Sequence, residues 1–213
     1  MGSDDLHKKS KKITLDEYKP KSGRKGPPID KLLIVCEGEE TEPNYFNNFP
    51  INLGELQVKV VGTGYNTLSL VKKTIEIIKK DENAGIKYNQ KWCVFDKDSF
   101  HNFDNAIKMA HAHNIRTAYS NEAFELWYIL HFNYLHTPLE RSQYKHYLDK
   151  YLNSSYSKNS KNMYKKLLKN EKTAIDNAKR LFALQKKKNL PDSKLNPITT
   201  VHLLVEELNK WIE

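Results

Sequence analysis

A continuous apolar run at residues 32–36 (Leu-Leu-Ile-Val-Cys), ended at once by Glu37-Gly38, constrains the fold of this chain more than any other feature. Such a run is typical of a strand buried on both faces, which occurs mainly in parallel sheets covered by helices. Further strands are predicted at residues 57–61, 92–95 and 116–119, each followed by a helical pattern. This alternation indicates βαβ crossovers, so the sequence predicts an α/β fold with a parallel sheet of about four strands.

Composition divides the chain into three segments. Residues 1–28 are rich in Lys, Ser, Gly and Pro, which predicts a basic, flexible N-terminal arm. Residues 29–140 hold all the predicted strands and form the predicted α/β domain. After Leu139 the strand signals stop, and helical patterns near residues 141–152, 160–188 and 199–213 predict a helical lobe packed on that domain.

Charge is distributed unevenly over a net +9. Residues 29–140 carry 11 basic and 15 acidic residues, whereas residues 141–213 carry 16 and 7. A basic surface suits a polyanion such as DNA or RNA, although lysine-rich helices are also simply soluble. The candidate nucleic-acid-binding residues are lysines of the last segment: Lys161, Lys165, Lys166, Lys169, Lys186, Lys187 and Lys188.

Tyrosines are interleaved with these lysines, at positions 144, 147, 151, 156 and 164. Aromatic side chains among basic ones can stack on nucleic-acid bases. Packing of the tyrosines against the α/β domain is the favoured interpretation.

The sequence predicts a cytoplasmic protein. It contains no apolar run near the roughly 20 residues of a membrane helix, and its N-terminus lacks the apolar stretch of a secretory signal. Its two cysteines, Cys36 and Cys93, fall inside predicted buried strands and form no metal-binding CxxC spacing.

Acidic side chains follow three of the predicted strands. Glu37 follows the first strand, Asp96 and Asp98 follow the third, and Glu125 comes shortly after the fourth. Because the carboxyl ends of parallel strands meet at one edge of a sheet, we expect these carboxylates to lie close together. Any one of them is also typical of a helix cap, but their convergence favours a site for Mg²⁺ or Mn²⁺, which prefer oxygen ligands.

The segments Val35-Cys36-Glu37-Gly38 and Val94-Phe95-Asp96-Lys97-Asp98 resemble the motifs of Toprim domains. More specifically, the chain resembles the RloB-like family of bacterial proteins, which are associated with restriction and abortive-infection loci. The matching segments lie in order at residues 36–46, 62–64, 95–98, 120–127 and 196–201, so the resemblance covers most of residues 31–213.

The resemblance implies a Toprim-like fold and a nuclease that uses one or two Mg²⁺ or Mn²⁺ ions. Glu37 matches the Toprim glutamate, a metal ligand or general acid/base, and Asp96 and Asp98 match the metal-binding pair. Candidates for additional ligands, without a secure Toprim counterpart, are Glu40, Glu42 and Glu125. One departure is that Asp98 is followed by Ser99-Phe100 and not by a further acidic residue.

Lys97 lies between the two aspartates, where it is a candidate catalytic residue that contacts the scissile phosphate. A solvated lysine at a strand end is an equally good interpretation. Gly62-Thr63-Gly64 lacks the Gly-Lys-Ser/Thr of a nucleotide-binding P-loop and is more typical of a tight turn, so an ATPase partner would be a separate chain.

Three functions therefore compete. The first is a metal-dependent endonuclease that hydrolyses DNA or RNA in antiphage defence. The second is a non-catalytic nucleic-acid-binding or effector-interaction module with a degenerate Toprim site. The third is another phosphoryl enzyme, such as a nucleotidyl transferase, although no nucleotide-base pocket is recognisable.

Overall fold

A five-stranded sheet forms the centre of the computed structural model, which describes residues 29–97 and 102–212. Its strands are β1 (Asp30–Cys36), β2 (Leu56–Gly62), β3 (Gln90–Asp96), β4 (Arg116–Asn121) and β5 (Ile198–Thr199). The α-helices are α1 (Thr41–Phe46), α2 (Thr67–Asn83), α3 (Phe103–Ala112), α4 (Glu125–Leu130), α5 (Gln143–Leu152), α6 (Met163–Leu167), α7 (Glu171–Lys186) and α8 (Val201–Leu208). The strand order is β2-β1-β3-β4-β5, in which the first four strands are parallel.

Strand β1 is buried on both faces, as its apolar run predicts. Successive side chains of a strand point to opposite faces of the sheet. Leu33 and Val35 accordingly belong to a buried cluster formed with α2 and α3, whereas Ile34 and Cys36 belong to a second cluster on the other face. Both faces are therefore covered by helices, and the α/β class is confirmed.

The second cluster joins the two halves of the chain. It contains Leu148 of α5, Leu181 of α7 and Leu204 of α8 together with Ile34 of β1, and all four side chains are fully buried. The division into two units at residue 140 stays a prediction. One apolar core contains residues from both sides of that boundary.

The sheet has one more strand than the sequence predicts. Ile198 and Thr199 pair antiparallel with Asn121 and Ser120 of β4, so the expectation that strands end at Leu139 is wrong. A strand of two residues is too short to show an alternating pattern. The helix predicted over residues 160–188 is also divided, because a 3₁₀ turn at Leu168–Asn170 separates α6 from α7.

The N-termini of α1 and α2 differ in their capping. Asn66 caps α2, since its side-chain oxygen accepts a hydrogen bond from the Ser69 N–H at 3.3 Å. Thr41 is not a cap but the first residue of α1. The preceding Glu40 makes no capping bond, and its carboxylate accepts a hydrogen bond from Asn44 instead.

Candidate functional site

A cavity of about 310 Å³ lies at the carboxyl ends of β1 and β3. The strands β1 and β3 are neighbours in the sheet, so the residues that follow them are brought together at one edge. The cavity is rich in acidic residues, which are Glu37, Glu39, Glu40, Glu42, Asp96 and Glu125. Two cations, Arg141 and Lys158, also line it.

Glu37 and Asp96 connect the ends of the two strands. The Asp96 N–H donates a hydrogen bond to Glu37 Oε2 at 3.2 Å, and Asp96 Oδ2 accepts one from Arg141 Nη2 at 3.2 Å. The other carboxylate oxygen, Asp96 Oδ1, is buried and makes no hydrogen bond to any described residue. A buried polar atom without a partner is costly, and at a functional site it often marks the position of an absent ligand.

Burial raises the pKa of Asp96 well above its ordinary value. The nearby carboxylates of Glu42 and Glu125 raise this pKa further, and the Arg141 guanidinium lowers it in part. Desolvation and like charge both disfavour the ionised form of a carboxyl group, so this position strongly favours a compensating positive charge.

Glu42, on α1, turns its carboxylate back over the loop that follows β1. A Cβ atom added to Gly38 would collide with this carboxylate, so the absence of a side chain at position 38 allows the close approach. The Glu42 residue is only 5% exposed, and burial raises the pKa of its carboxyl group from 4.5 to about 7. The Glu125 charge adds to this rise, while the backbone N–H groups of Glu42 and Gly38 and the Lys158 charge oppose it.

Glu125, the first residue of α4, is held in place by two groups from the distant segment after residue 140. Its Oε1 accepts a hydrogen bond from the Tyr156 hydroxyl at 3.1 Å and lies 3.6 Å from the Lys158 ammonium. Glu125 is 4% exposed and Tyr156 is 5% exposed. The α4 carboxylate is therefore fixed in a buried position facing the strand ends.

The segment after β2 supports the loop after β1. The Thr63 N–H and hydroxyl both donate to the Cys36 carbonyl, at 3.1 and 2.9 Å, and the Gly64 N–H donates to the Glu37 carbonyl at 2.8 Å. A Cβ atom at Gly62 would meet the Glu39 backbone at 2.8 Å. The Gly-Thr-Gly segment is therefore not a tight turn, as the sequence favours, but the end of β2 and an irregular continuation of it, and it positions the loop that carries the glutamates.

The donor set suits a hard divalent cation. Glu37, Glu42, Asp96 and Glu125 place four carboxylates around one small cavity, against the charges of Arg141 and Lys158. Carboxylate oxygens are the ligands that Mg²⁺ and Mn²⁺ prefer. Within residues 29–97 and 102–212, no three His, Cys, Asp or Glu side chains are already arranged as a metal site. The unpartnered Asp96 Oδ1 nevertheless fits a metal-binding role.

The structure brings together most of the predicted metal ligands. Glu37, Glu40, Glu42, Asp96 and Glu125 all line the cavity, although Glu40 is exposed at its mouth. The sixth predicted ligand, Asp98, lies outside the described residues.

Lys97 lies beside the acidic cavity and lines an adjoining one together with Arg141. Its predicted contact with a scissile phosphate stays a prediction.

The predicted nucleic-acid-binding lysines are all exposed but form two separate groups. One group lies within residues 161–169, next to the cavity-lining Lys158, and Asn48 near the end of α1 donates a hydrogen bond to the Lys161 carbonyl at 2.9 Å. The other group, Lys186, Lys187 and Lys188, lies at the far end of α7. A helix of 16 residues is roughly 24 Å long, so the two groups do not form one patch.

The sequence prediction omits Glu39, which lines the cavity, and three residues that contact its carboxylates: Arg141, Tyr156 and Lys158. Arg141, Tyr156 and Lys158 all come from the segment after residue 140. Each contacts a carboxylate that lies 31 or more residues earlier in the chain than itself. Their local sequence does not distinguish them from the other basic and aromatic residues of that segment.

The tyrosines of the last segment serve mainly as core. Tyr144, Tyr156 and Tyr164 are at most 5% exposed and belong to the large buried cluster, while Tyr147 and Tyr151 pack against it. Packing, the favoured interpretation, is thus confirmed over base stacking.

A family model described as RloB-like protein matches residues 32–208 of this chain. The chain belongs to the RloB-like family. No curated protein and no solved structure matches this RloB-like chain. None of its described helices combines the length and apolar character needed to cross a membrane.

Proposed function

We propose that this RloB-like chain is a nuclease with a Toprim-like α/β domain, dependent on Mg²⁺ or Mn²⁺, that hydrolyses phosphodiester bonds of DNA or RNA. The observation that carries the proposal is the convergence of four carboxylates, two half-buried at the ends of β1 and β3 and two buried on α1 and α4. One of the half-buried pair, Asp96, keeps a buried oxygen without a partner among the described residues. The sheet, with acidic residues following neighbouring parallel strands, agrees with the Toprim resemblance of the motifs around Glu37 and Asp96.

Glu37 and Asp96 are the proposed principal ligands of the metal ion, and Glu42 and Glu125 are the proposed additional ligands. When bound, the ion supplies Lewis acidity, which lowers the pKa of a coordinated water and stabilises negative charge on the phosphate. Arg141 and Lys158 line the same cavity, where they attract and orient the phosphate and limit repulsion from the carboxylates. The lysines within residues 161–169 extend this positive surface along the chain outside the cavity.

Three parts of the proposal rest on the family and on composition. A role in antiphage defence follows from the association of RloB-like proteins with restriction and abortive-infection loci. Any ATPase partner would be a separate chain, because Gly62-Thr63-Gly64 lacks the Gly-Lys-Ser/Thr of a P-loop. A cytoplasmic location is proposed because Cys36 and Cys93 are both buried and form no disulfide, which fits a reducing compartment.

The first test is calorimetric titration of Mn²⁺ into the wild type, Asp96→Asn and the control Glu82→Gln, which changes an exposed carboxylate on α2. We expect the wild type and the control to release or absorb heat on binding, and Asp96→Asn to lose that signal. Cleavage of labelled DNA and RNA should follow the same pattern, while the affinity of Asp96→Asn for uncleaved nucleic acid is retained.

Absence of Mn²⁺ binding would refute the proposal. If the wild type binds no Mn²⁺ either alone or with nucleic acid present, the catalytic proposal fails. A non-catalytic nucleic-acid-binding module with a degenerate site then becomes the better description. Metal binding with nucleotide transfer and without hydrolysis would instead favour a nucleotidyl transferase.

A further inference from the structure

A second, larger cavity adjoins the acidic one. It has a volume of about 530 Å³, and its walls include Lys97, Asn121, Glu122, Arg141, Lys194 and Asn196. We refer to it as the Lys194 cleft. Arg141 lines both cavities, and its Nη2 donates to Asp96 Oδ2 at 3.2 Å and to the Glu122 carbonyl at 3.0 Å. A single guanidinium therefore separates the carboxylate cavity from the Lys194 cleft.

The charge of the Lys194 cleft is opposite to that of its neighbour. Among the described residues, Lys97, Arg141 and Lys194 contribute positive charge to its walls, against one wall carboxylate from Glu122, and the Arg141 charge is shared with Asp96. Neighbouring cations with few compensating carboxylates favour an anionic ligand. Lys194 is exposed and forms no ion pair with any carboxylate of the described residues.

The loop that carries Lys194 is held at several points. The Ser193 N–H and hydroxyl donate to the Asp104 carboxylate on α3, at 3.0 and 2.5 Å. Asn121 Nδ2 of β4 donates to the Leu195 carbonyl at 2.8 Å, and Lys186 of α7 forms an ion pair with Asp192. These contacts fix the loop on both sides of Lys194, which reduces the backbone entropy lost when the loop binds a ligand.

We propose that the Lys194 cleft binds a backbone phosphate of the nucleic acid, adjacent to the phosphodiester that enters the carboxylate cavity. This inference rests on the proposed nuclease function, because it assigns a subsite to the same substrate. The shared Arg141 places the two cavities side by side, as consecutive phosphates of one strand require. The cleft thus adds a positioning contact, made by Lys194, that reads the backbone and not the base sequence.

Equilibrium binding in EDTA tests the Lys194 cleft without any cleavage. The probes are dye-labelled duplex DNA, single-stranded DNA and single-stranded RNA of one sequence, followed by fluorescence anisotropy over a range of NaCl concentrations. Lys194→Gln should weaken binding by about fivefold and lower the slope of log K against log[salt] by about 0.7 to 0.9, the value of one lost phosphate contact. The probe with the largest loss identifies the nucleic acid that occupies the cleft.

The matched control is Lys79→Gln, which removes an equal charge from an exposed position late in α2. Helix α2 runs away from the carboxyl edge of the sheet, so this variant should bind every probe like the wild type. Thermal unfolding of Lys194→Gln should match the wild type, because the lysine side chain is exposed and has no ion-pair partner among the described residues.

The cleft and the nuclease proposal can fail separately. Equal binding by Lys194→Gln and Lys79→Gln, or no binding of any probe by the wild type, would refute phosphate binding in the Lys194 cleft. Selective loss in Lys194→Gln would support it, even if the wild type shows no Mn²⁺-dependent cleavage. If cleavage depends on Asp96 but Lys194→Gln changes neither the affinity for nucleic acid nor the cleavage rate, the nuclease proposal stands. Phosphate binding in the Lys194 cleft is then refuted.

Discussion

Replacing Glu42 by Gln should stabilise the metal-free protein at alkaline pH. The Glu42 carboxylate is buried beside Glu125 and behind Gly38, where its ionised form is poorly solvated. Gln has nearly the same shape, and its carbonyl oxygen can occupy the same position near the backbone N–H groups. The substitution therefore removes the charge and leaves the packing of α1 almost unchanged.

The size of the effect follows from the pKa. Burial raises the pKa of Glu42 from 4.5 in the unfolded chain to about 7 in the folded protein. The folded protein thus binds the proton more tightly, and its stability falls as pH rises from about 4.5 to about 7. One pKa unit corresponds to about 1.4 kcal/mol, so the full penalty above neutral pH is about 3 kcal/mol, partly shared with the coupled carboxylates.

Urea unfolding in EDTA measures this difference. At about pH 8, Glu42→Gln should be more stable than the wild type by about 2 to 3 kcal/mol, and at about pH 5 the gap should shrink to about 1 kcal/mol or less. Glu82→Gln, an exposed change on α2, should stay within about 0.5 kcal/mol of the wild type at both pH values. If Glu42→Gln is no more stable than the wild type at the alkaline pH, burial does not destabilise the ionised Glu42 carboxylate as argued.

Three further substitutions test the packing around the site. Gly38→Ala should lower the free energy of unfolding by about 1 to 3 kcal/mol, because its Cβ collides with the Glu42 carboxylate; an unchanged urea midpoint would contradict that contact. Tyr156→Phe should lower the free energy of unfolding by about 1 to 3 kcal/mol, because it removes the hydroxyl that donates to Glu125. An unchanged thermal unfolding midpoint at neutral pH would contradict a stabilising role for this hydrogen bond. Leu148→Ala should cost about 2 to 5 kcal/mol in one cooperative transition seen by both circular dichroism and fluorescence, because α5 shares a core with β1; two separate transitions would argue against that shared core.

The sequence predicts the centre of the fold well because the signals there are local. Residues 32–36 are apolar without interruption, and the strand they form is buried on both faces. Strand β5 is different, since its two residues owe their conformation to β4, which lies 77 or more residues earlier. The Ser120 and Thr199 hydroxyls meet at 2.9 Å inside the protein, and no pattern within residues 196–201 indicates that contact.

The acidic half of the site is also predictable, for a topological reason. Parallel neighbours end at the same edge of the sheet, so acidic residues at the ends of β1 and β3 converge, as Glu37 and Asp96 do. The cationic half was not predictable, because Arg141 and Lys158 approach from helices and turns whose placement depends on packing of the whole second cluster.

The contribution of β5 and α8 to the sheet and its core has a consequence for how the protein is made. During synthesis the carboxylates at the ends of β1 and β3 emerge early, followed later by Arg141 and Lys158, and the last strand of the sheet comes after all of them. Pairing of Ser120 with Thr199 closes a loop of 79 residues, which is a slow, non-local step. A ribosome-bound chain that stops short of residue 198 would therefore carry the acidic cluster on a sheet that still lacks β5.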